Sequence, residues 1–259
     1  MTSNDSPKTI LITGGASGIG LAMAEHLGSM GHALILADLN GDAAASAAKQ
    51  LNRLQINAQP LVLDVSSIEQ IEALKDTLSD SPVDVLINNA GIQHVSALET
   101  FPADKWSLLI QIMLVGPAML TRAFLPSMRE RGYGRIINVG SIHSLVASPY
   151  KSAYVAAKHG LLGFAKTITL ETGDTNITIN TLCPSYVKTP LVEKQIAAQA
   201  QEHGLSEDEV INKIMLEPMP KKAFIGLDEL AETAAFLMSP AARNITGQTL
   251  VLDGGWTAR

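Results

Sequence analysis

Cysteine is almost missing from this chain. Of 259 residues only Cys183 is one, so no internal disulfide can form and nothing in the thiol content calls for an oxidising compartment. The opening stretch, Met1-Thr2-Ser3-Asn4-Asp5-Ser6-Pro7-Lys8, lacks the apolar core of a secretory leader, and a cytoplasmic location is expected. Charge is also scarce, at 17% of residues with a formal net charge of −6. The basic footprint of a nucleic-acid-binding surface is therefore lacking, and no nucleic-acid partner is expected. An unbroken apolar run is lacking too. The richest region, 108–125, is interrupted by Gln111, Gly116-Pro117 and Thr121-Arg122. A spanning helix wants about 20 predominantly apolar residues with few charges, so a buried helix is expected instead, and no membrane partner. Because that helix is apolar nearly all round, one face against its own sheet would not cover it, and a second surface such as another subunit is implied.

What is present is a hydrophobic fraction of 46%, enough for a sizeable core, arranged as strands and helices in turn. Strands are expected over 8–13, 33–37, 59–63, 83–87, 134–139, 177–182 and 248–252. Helices are expected from the glycine turn to about 31, then over 42–52, 68–78, from the apolar region to about 131, 152–171 and 228–238. This alternation indicates α/β architecture, a doubly wound parallel sheet in a single domain spanning 1–259, with no repeat, low-complexity run or linker. The more polar stretch 190–224 breaks the pattern. It reads as a lid-like insertion, with Ser206-Glu207-Asp208-Glu209 as a capping box that opens a helix.

The first strand runs directly into Gly14-Gly15-Ala16-Ser17-Gly18-Ile19-Gly20. Glycines 14, 18 and 20 permit positive φ and close backbone approach, and the new helix N-terminus presents free N–H groups to a pyrophosphate. About 20 residues further on, the second strand ends in Asp38, where a carboxylate would bond an adenosine ribose 2′-hydroxyl and repel a 2′-phosphate. Leu39-Asn40 supplies no basic residue to hold that phosphate, so NAD is expected rather than NADP.

A second constellation lies between 141 and 158. Tyr154 and Lys158 are four apart in a helix-forming segment and share one face. A free tyrosine has a pKa of about 10, and a nearby ammonium favours the phenolate, so Lys158 is expected to make Tyr154 basic. Ser141 falls just past the apolar run 135–139, at a strand's C-terminal end, where open parallel sheets bind ligands. Alone, such a Tyr-x-x-x-Lys pair is more often a solvated helix face; the surrounding motifs give it weight.

Thr13-Gly14-x-x-x-Gly18-x-Gly20, Asp64-Val65, Asn88-Asn89-Ala90-Gly91, Ser141, Tyr154-x-x-x-Lys158 and Pro184, in this order, resemble the short-chain dehydrogenases/reductases over nearly the whole chain. The resemblance implies a Rossmann-type sheet of seven parallel strands and hydride exchange between a nicotinamide and a carbonyl or alcohol. It also implies a homotetramer built partly through two long helices. The cofactor residues implied are Thr13, Gly14, Ser17, Gly18, Ile19, Gly20, Asp38, Asp64, Val65, Asn89, Ala90, Gly91, Tyr154, Lys158, Pro184, Val187 and Thr189. Ser141, Tyr154 and Lys158 are the implied catalytic set, and no metal is expected.

A narrower likeness, to the bacterial D-3-hydroxybutyrate dehydrogenases, rests on 88–95, 141–144, 151–154, 192–196 and 254–258. It implies that Gln93, His143, Lys151 and Gln195 bind a substrate carboxylate, with (R)-3-hydroxybutyrate and acetoacetate as the expected pair. Chemistry agrees, because a small anion needs charge-assisted hydrogen bonds and Lys151 offers a point charge beside Tyr154. His143, two residues past Ser141, would point to the same side of an extended strand end. Trp256 either lines the substrate pocket or packs at a subunit contact, and Cys183 reads as a small buried residue without a chemical duty. Other small hydroxy acids, sugars and neutral hydroxyketones remain alternative substrates, and a non-catalytic nucleotide sensor is the alternative of another class. Two departures from the family stand out. Met113 occupies the place of an asparagine assigned to a helix kink and a proton path, so either water reaches Lys158 by another route or turnover suffers. Ser185 follows Pro184 where glycine is usual.

Overall fold

In a computed structural model, which describes residues 6–258, seven parallel strands hydrogen-bond in the order β3-β2-β1-β4-β5-β6-β7. They are β1 Thr9–Thr13, β2 Ala33–Asp38, β3 Ala58–Val62, β4 Val85–Asn88, β5 Gly134–Val139, β6 Ile177–Pro184 and β7 Thr249–Leu252. The reading of residues 1–5 as part of a non-leader stretch lies outside the described residues. Strand addition proceeds outward from β1 to β3, then resumes on its other side with β4, so Ile12 pairs with both Leu36 and Ile87. That reversal opens a crevice beyond the C-terminal ends of β1 and β4.

Alternation along the strands sends side chains into two layers. Ile10, Ile12, Leu36, Ile87, Ile137 and Val139 pack under α1 Gly18–Ser29, α2 Gly41–Arg53 and α9 Leu227–Met238. Leu11, Ile35, Leu86, Ile136 and Ile179 pack under α3 Ile68–Thr77, α5 Gly116–Arg131 and α6 Ser152–Glu171. Both faces of the sheet are covered, and for this reason the central strands read as continuous apolar runs in the sequence. Each fully buried Ile or Leu contributes about 1.5–3 kcal/mol relative to exposure.

Ends shift from the expected bounds by one or two residues. β6 runs two residues beyond its expected end, because Cys183 and Pro184 still pair with Val251 and Leu252 of β7. At the insertion, Thr189 caps α7 Pro190–His203 by accepting from Val192 N–H, and Gly204 closes it with φ 64°. Ser206 and Glu209 form the expected capping box at α8 Glu207–Val210. Ile196, Val210 and Met215 give this segment a small core of its own.

The apolar region is covered on one side only, as its composition implied: α4 Ala103–Ile110, a π-helical turn Gln111–Val115 and α5 form one 29-residue helical run, of which the most apolar window is 44% buried. By length and composition alone that run could cross a membrane. Here Leu109, Met113, Leu120, Phe124 and Met128 are buried, while Arg122 pairs with Glu72 at 2.7 Å on the outer side. The run is therefore a one-sided core helix with an outer face still uncovered.

Candidate active site

The turn between β1 and α1 forms as the glycines require. Gly14 and Gly18 have φ of 61° and 54°, and a Cβ on Gly20 would lie 2.3 Å from the Gly14 carbonyl oxygen. Asn89 donates from Nδ2 to the carbonyls of Thr13 (2.9 Å) and Gly14 (3.1 Å), and the N–H groups of Asn89 and Ala90 donate to Thr13 Oγ1 at 3.0 Å each. Thr13 is thus spent stitching β1 to β4. It is 2% exposed and, like Gly20, does not line the crevice, so these two shape the glycine turn from within.

The crevice is an open cleft of about 430 Å³. Its walls include the other expected cofactor residues: Gly14, Ser17, Gly18, Ile19, Asp38, Asp64, Val65, Asn89, Ala90, Gly91, Tyr154, Lys158, Pro184, Val187 and Thr189. Asp38 lines that cleft at the end of β2. Its carboxylate accepts from Ala16 N–H at 3.3 Å and Asn40 N–H at 3.0 Å.

Ser141 stands one residue past Gly140 at the end of β5, with Tyr154 and Lys158 beside it on α6. Lys158 Nζ lies 5.7 Å from the centre of the Tyr154 ring and donates to the Val139 carbonyl at 2.6 Å. The amine faces the ring, but it does not produce the expected acidity: burial pushes Tyr154 above its ordinary value, Cys183 and Tyr186 push the same way, and the hydrogen bond from Ser141 pulls it down. Burial lowers Lys158 as well, to about 8, which still leaves it largely charged at pH 7. Ser141 is the group that favours the phenolate in the protein alone.

His143 enters the site by a different route from the one expected. The chain does not continue extended past Ser141; it turns through a 3₁₀ segment, Ile142–Ser144, with Ser141 and Ser144 capping each other reciprocally. The turn aims the imidazole edge-on toward Tyr154 (ring centroids 6.1 Å apart) and Trp256 (6.2 Å), and Trp256 stacks on Tyr186. His143 Nε2 lies 3.2 Å from Ser148 Oγ and 3.5 Å from Lys151 Nζ. Burial, then the charges of Lys151 and His159, hold this histidine down at about 4, so it is neutral at pH 7; burial also lowers Lys151. Gln93 carries a buried Oε1 without a partner. Gln195 is half-buried on α7, and among the described residues no hydrogen bond joins it to His143 or Lys151.

Residues 8–200 match the family model described as short chain dehydrogenase. The chain is a short-chain dehydrogenase. This dehydrogenase is 42% identical to a D-beta-hydroxybutyrate dehydrogenase of Rhizobium meliloti, over 97% of its own length and 99% of the relative's. It is 45% identical to one of Cupriavidus necator, over 97% and 98%. A 3-oxoacyl-[acyl-carrier-protein] reductase of Vibrio harveyi is 32% identical over 96% of each chain.

The dehydrogenase keeps a helix irregularity at Met113 without the family asparagine. Met113 sits 1% exposed inside the π-helical turn, which is fixed by Gln111 Nε2 donating to the Ser66 carbonyl (3.3 Å). Close approach at Gly116 helps, since a Cβ there would fall 2.5 Å from the Val65 carbonyl oxygen. Ser185 is accommodated by donating to Met219 Sδ at 3.3 Å. Sequence reasoning missed Ser148, Tyr186 and Ser144. Ser148 and Ser144 lie in the segment already singled out, but their roles depend on a turn that apolar periodicity does not reveal.

Proposed function

We propose that this dehydrogenase interconverts (R)-3-hydroxybutyrate and acetoacetate with NAD. The observation that carries this reading is the His143–Ser148–Lys151 cluster next to Tyr154: a partly buried ammonium with hydrogen-bonding neighbours, beside a phenol at the cleft wall. An anion there gains charge-assisted hydrogen bonds in a partly desolvated setting. The names of the two most fully covered relatives above point to the same substrate.

The residues present fit a nicotinamide dinucleotide, because the N-terminus of α1, at Ser17, Gly18 and Ile19, opens onto the cleft and the Asp38 carboxylate lines the same cleft. Gly14, Ser17, Gly18 and Ile19 would hold the pyrophosphate, Asp38 the adenosine ribose, and Lys158 the nicotinamide ribose. When bound, the nicotinamide supplies the hydride acceptor. Tyr154 as phenolate takes the proton from the substrate hydroxyl at Oη, and in the reverse direction returns it as general acid. Ser141 holds the reacting oxygen, and Lys151, His143, Gln93 and Gln195 hold the carboxylate, with α7 carrying Gln195 as part of a lid that excludes water. Trp256, stacked on Tyr186 and edge-on to His143, bounds the substrate side of this pocket.

The uncovered face of the α4–α5 run supports a homotetramer, and the composition supports a cytoplasmic protein. The test is turnover of purified protein with NAD: (R)-3-hydroxybutyrate should be oxidised at least about tenfold faster than its (S) isomer. No oxidation of either, alongside good oxidation of a neutral secondary alcohol, overturns the substrate.

A further inference from the structure

We infer that Ser144 is a positioning residue for the reaction: its hydroxyl, caught between the Ser141 main chain and the Cys183 sulfur, holds Ser141 in the rotation that bonds to Tyr154. The inference rests on Tyr154 acting as the base, not on which alcohol is oxidised.

Ser144 is 1% exposed and Cys183 fully buried, directly beneath the turn that carries Ser141. Ser141 N–H donates to Ser144 Oγ at 3.2 Å, and Ser144 and the Ser141 main chain both lie against Cys183, where they favour its thiolate. The bond to Ser144 fixes the serine main chain. The side chain is fixed separately, since His143 N–H donates to Ser141 Oγ at 3.2 Å. That bond occupies a lone pair and leaves the hydroxyl hydrogen free for Tyr154, the direction that favours a phenolate. Gly140 is packed onto the pair. A Cβ on Gly140 would sit 2.9 Å from Ser144 Oγ and 2.8 Å from Cys183 Sγ. Without the Ser144 hydroxyl, the buried Ser141 N–H keeps only a weak sulfur acceptor and the 3₁₀ turn loses its reciprocal cap. Ser141 is then free to rotate away from the phenol. The other titratable groups facing Tyr154 are Lys158, Cys183, Tyr186 and the His143 ring; of these the substitution reaches only Cys183, which loses the neighbouring hydroxyl.

The experiment is the pH profile of alcohol oxidation in Ser144→Ala. Its midpoint should move up by about one unit, with kcat at pH 7 about tenfold lower and NADH affinity within about twofold of wild type. In a Ser141→Ala background the second substitution should add less than about twofold. A profile that stays in place, or an equal loss in that background, overturns the inference, since general loosening of the fold would produce those results. Ser144→Gly, which removes the same hydroxyl without adding volume and leaves Cys183 in place, should shift the midpoint in the same direction and serves if Ser144→Ala does not fold. Titration of the Tyr154 phenol, read as ultraviolet difference absorbance against Tyr154→Phe, should show the same upward displacement without substrate. A displaced titration in a protein that ignores (R)-3-hydroxybutyrate would sink the substrate reading alone.

Discussion

The ammonium of Lys158 lies 5.7 Å from the centre of the Tyr154 ring while it donates to the Val139 carbonyl at 2.6 Å. It is anchored to the end of β5 and lies over the ring, while burial holds the phenol above its ordinary value. Lys158→Met should therefore lose turnover by about 100-fold or more, and should also weaken NADH binding measured by fluorescence, because the same amine is placed to hold the nicotinamide ribose. A variant that loses turnover with unaltered NADH affinity would confine Lys158 to proton chemistry.

Lys151 is expected to act on the substrate alone. A charge-assisted hydrogen bond contributes about 1.5–3 kcal/mol, so Lys151→Ala should raise KM for 3-hydroxybutyrate by about 10–100-fold and leave KM for NAD within about twofold. Steady-state kinetics with each substrate varied in turn checks this.

Buried neutral His143 makes stability depend on pH in a defined window. Its folded value, about 4, lies below the ordinary 6.5, so between these the unfolded chain binds more protons and stability rises with pH across that range. It is fully present above pH 6.5 and lost as pH falls toward 4, by up to about 3 kcal/mol. Urea unfolding at pH 4.5 and 7 should show a smaller difference in His143→Gln than in wild type.

Gly20→Ala places a Cβ 2.3 Å from a main-chain oxygen that has no freedom to move. Overpacking of this kind costs about 1–3 kcal/mol. The Tm should fall, and NADH binding should weaken together with it, because the glycine turn deforms.

Much of the fold was legible because buried parallel strands must be apolar and the glycine turn, Asp38 and the Tyr154–Lys158 spacing are set by local geometry. α6 occupies the expected 152–171. Less legible was whatever depends on one turn or on contact between distant segments. The 3₁₀ segment after Ser141 carries His143 into the site although alternation suggested a strand. Trp256 meets His143 and Tyr186 only because β7 pairs beside β6. Likewise, the inward role of Thr13 follows from its bonds to Asn89 and Ala90 across the sheet, which spacing along the chain cannot show.

The asparagine position illustrates the same limit. The departure at Met113 put a proton path through that helix in question, and the sequence could not show that the turn there stays irregular, held by Gln111 and Gly116 against Val65 and Ser66.

Asp38 should decide between the two dinucleotides. Replacing Asp38 with alanine and Leu39 with arginine removes the repulsion and supplies a cation, and the kcat/KM ratio of NAD to NADP should fall by at least about 100-fold. Unchanged preference would place the discrimination elsewhere.

Recognition of a carboxylate beside Tyr154 is tested most directly by comparing kcat/KM for (R)-3-hydroxybutyrate with that for its methyl ester, which has the same alcohol and no charge. The free acid should be favoured by at least about 30-fold in the wild type, and most of that preference should vanish in Lys151→Ala. An ester oxidised as well as the acid, or a preference untouched by Lys151→Ala, would contradict it.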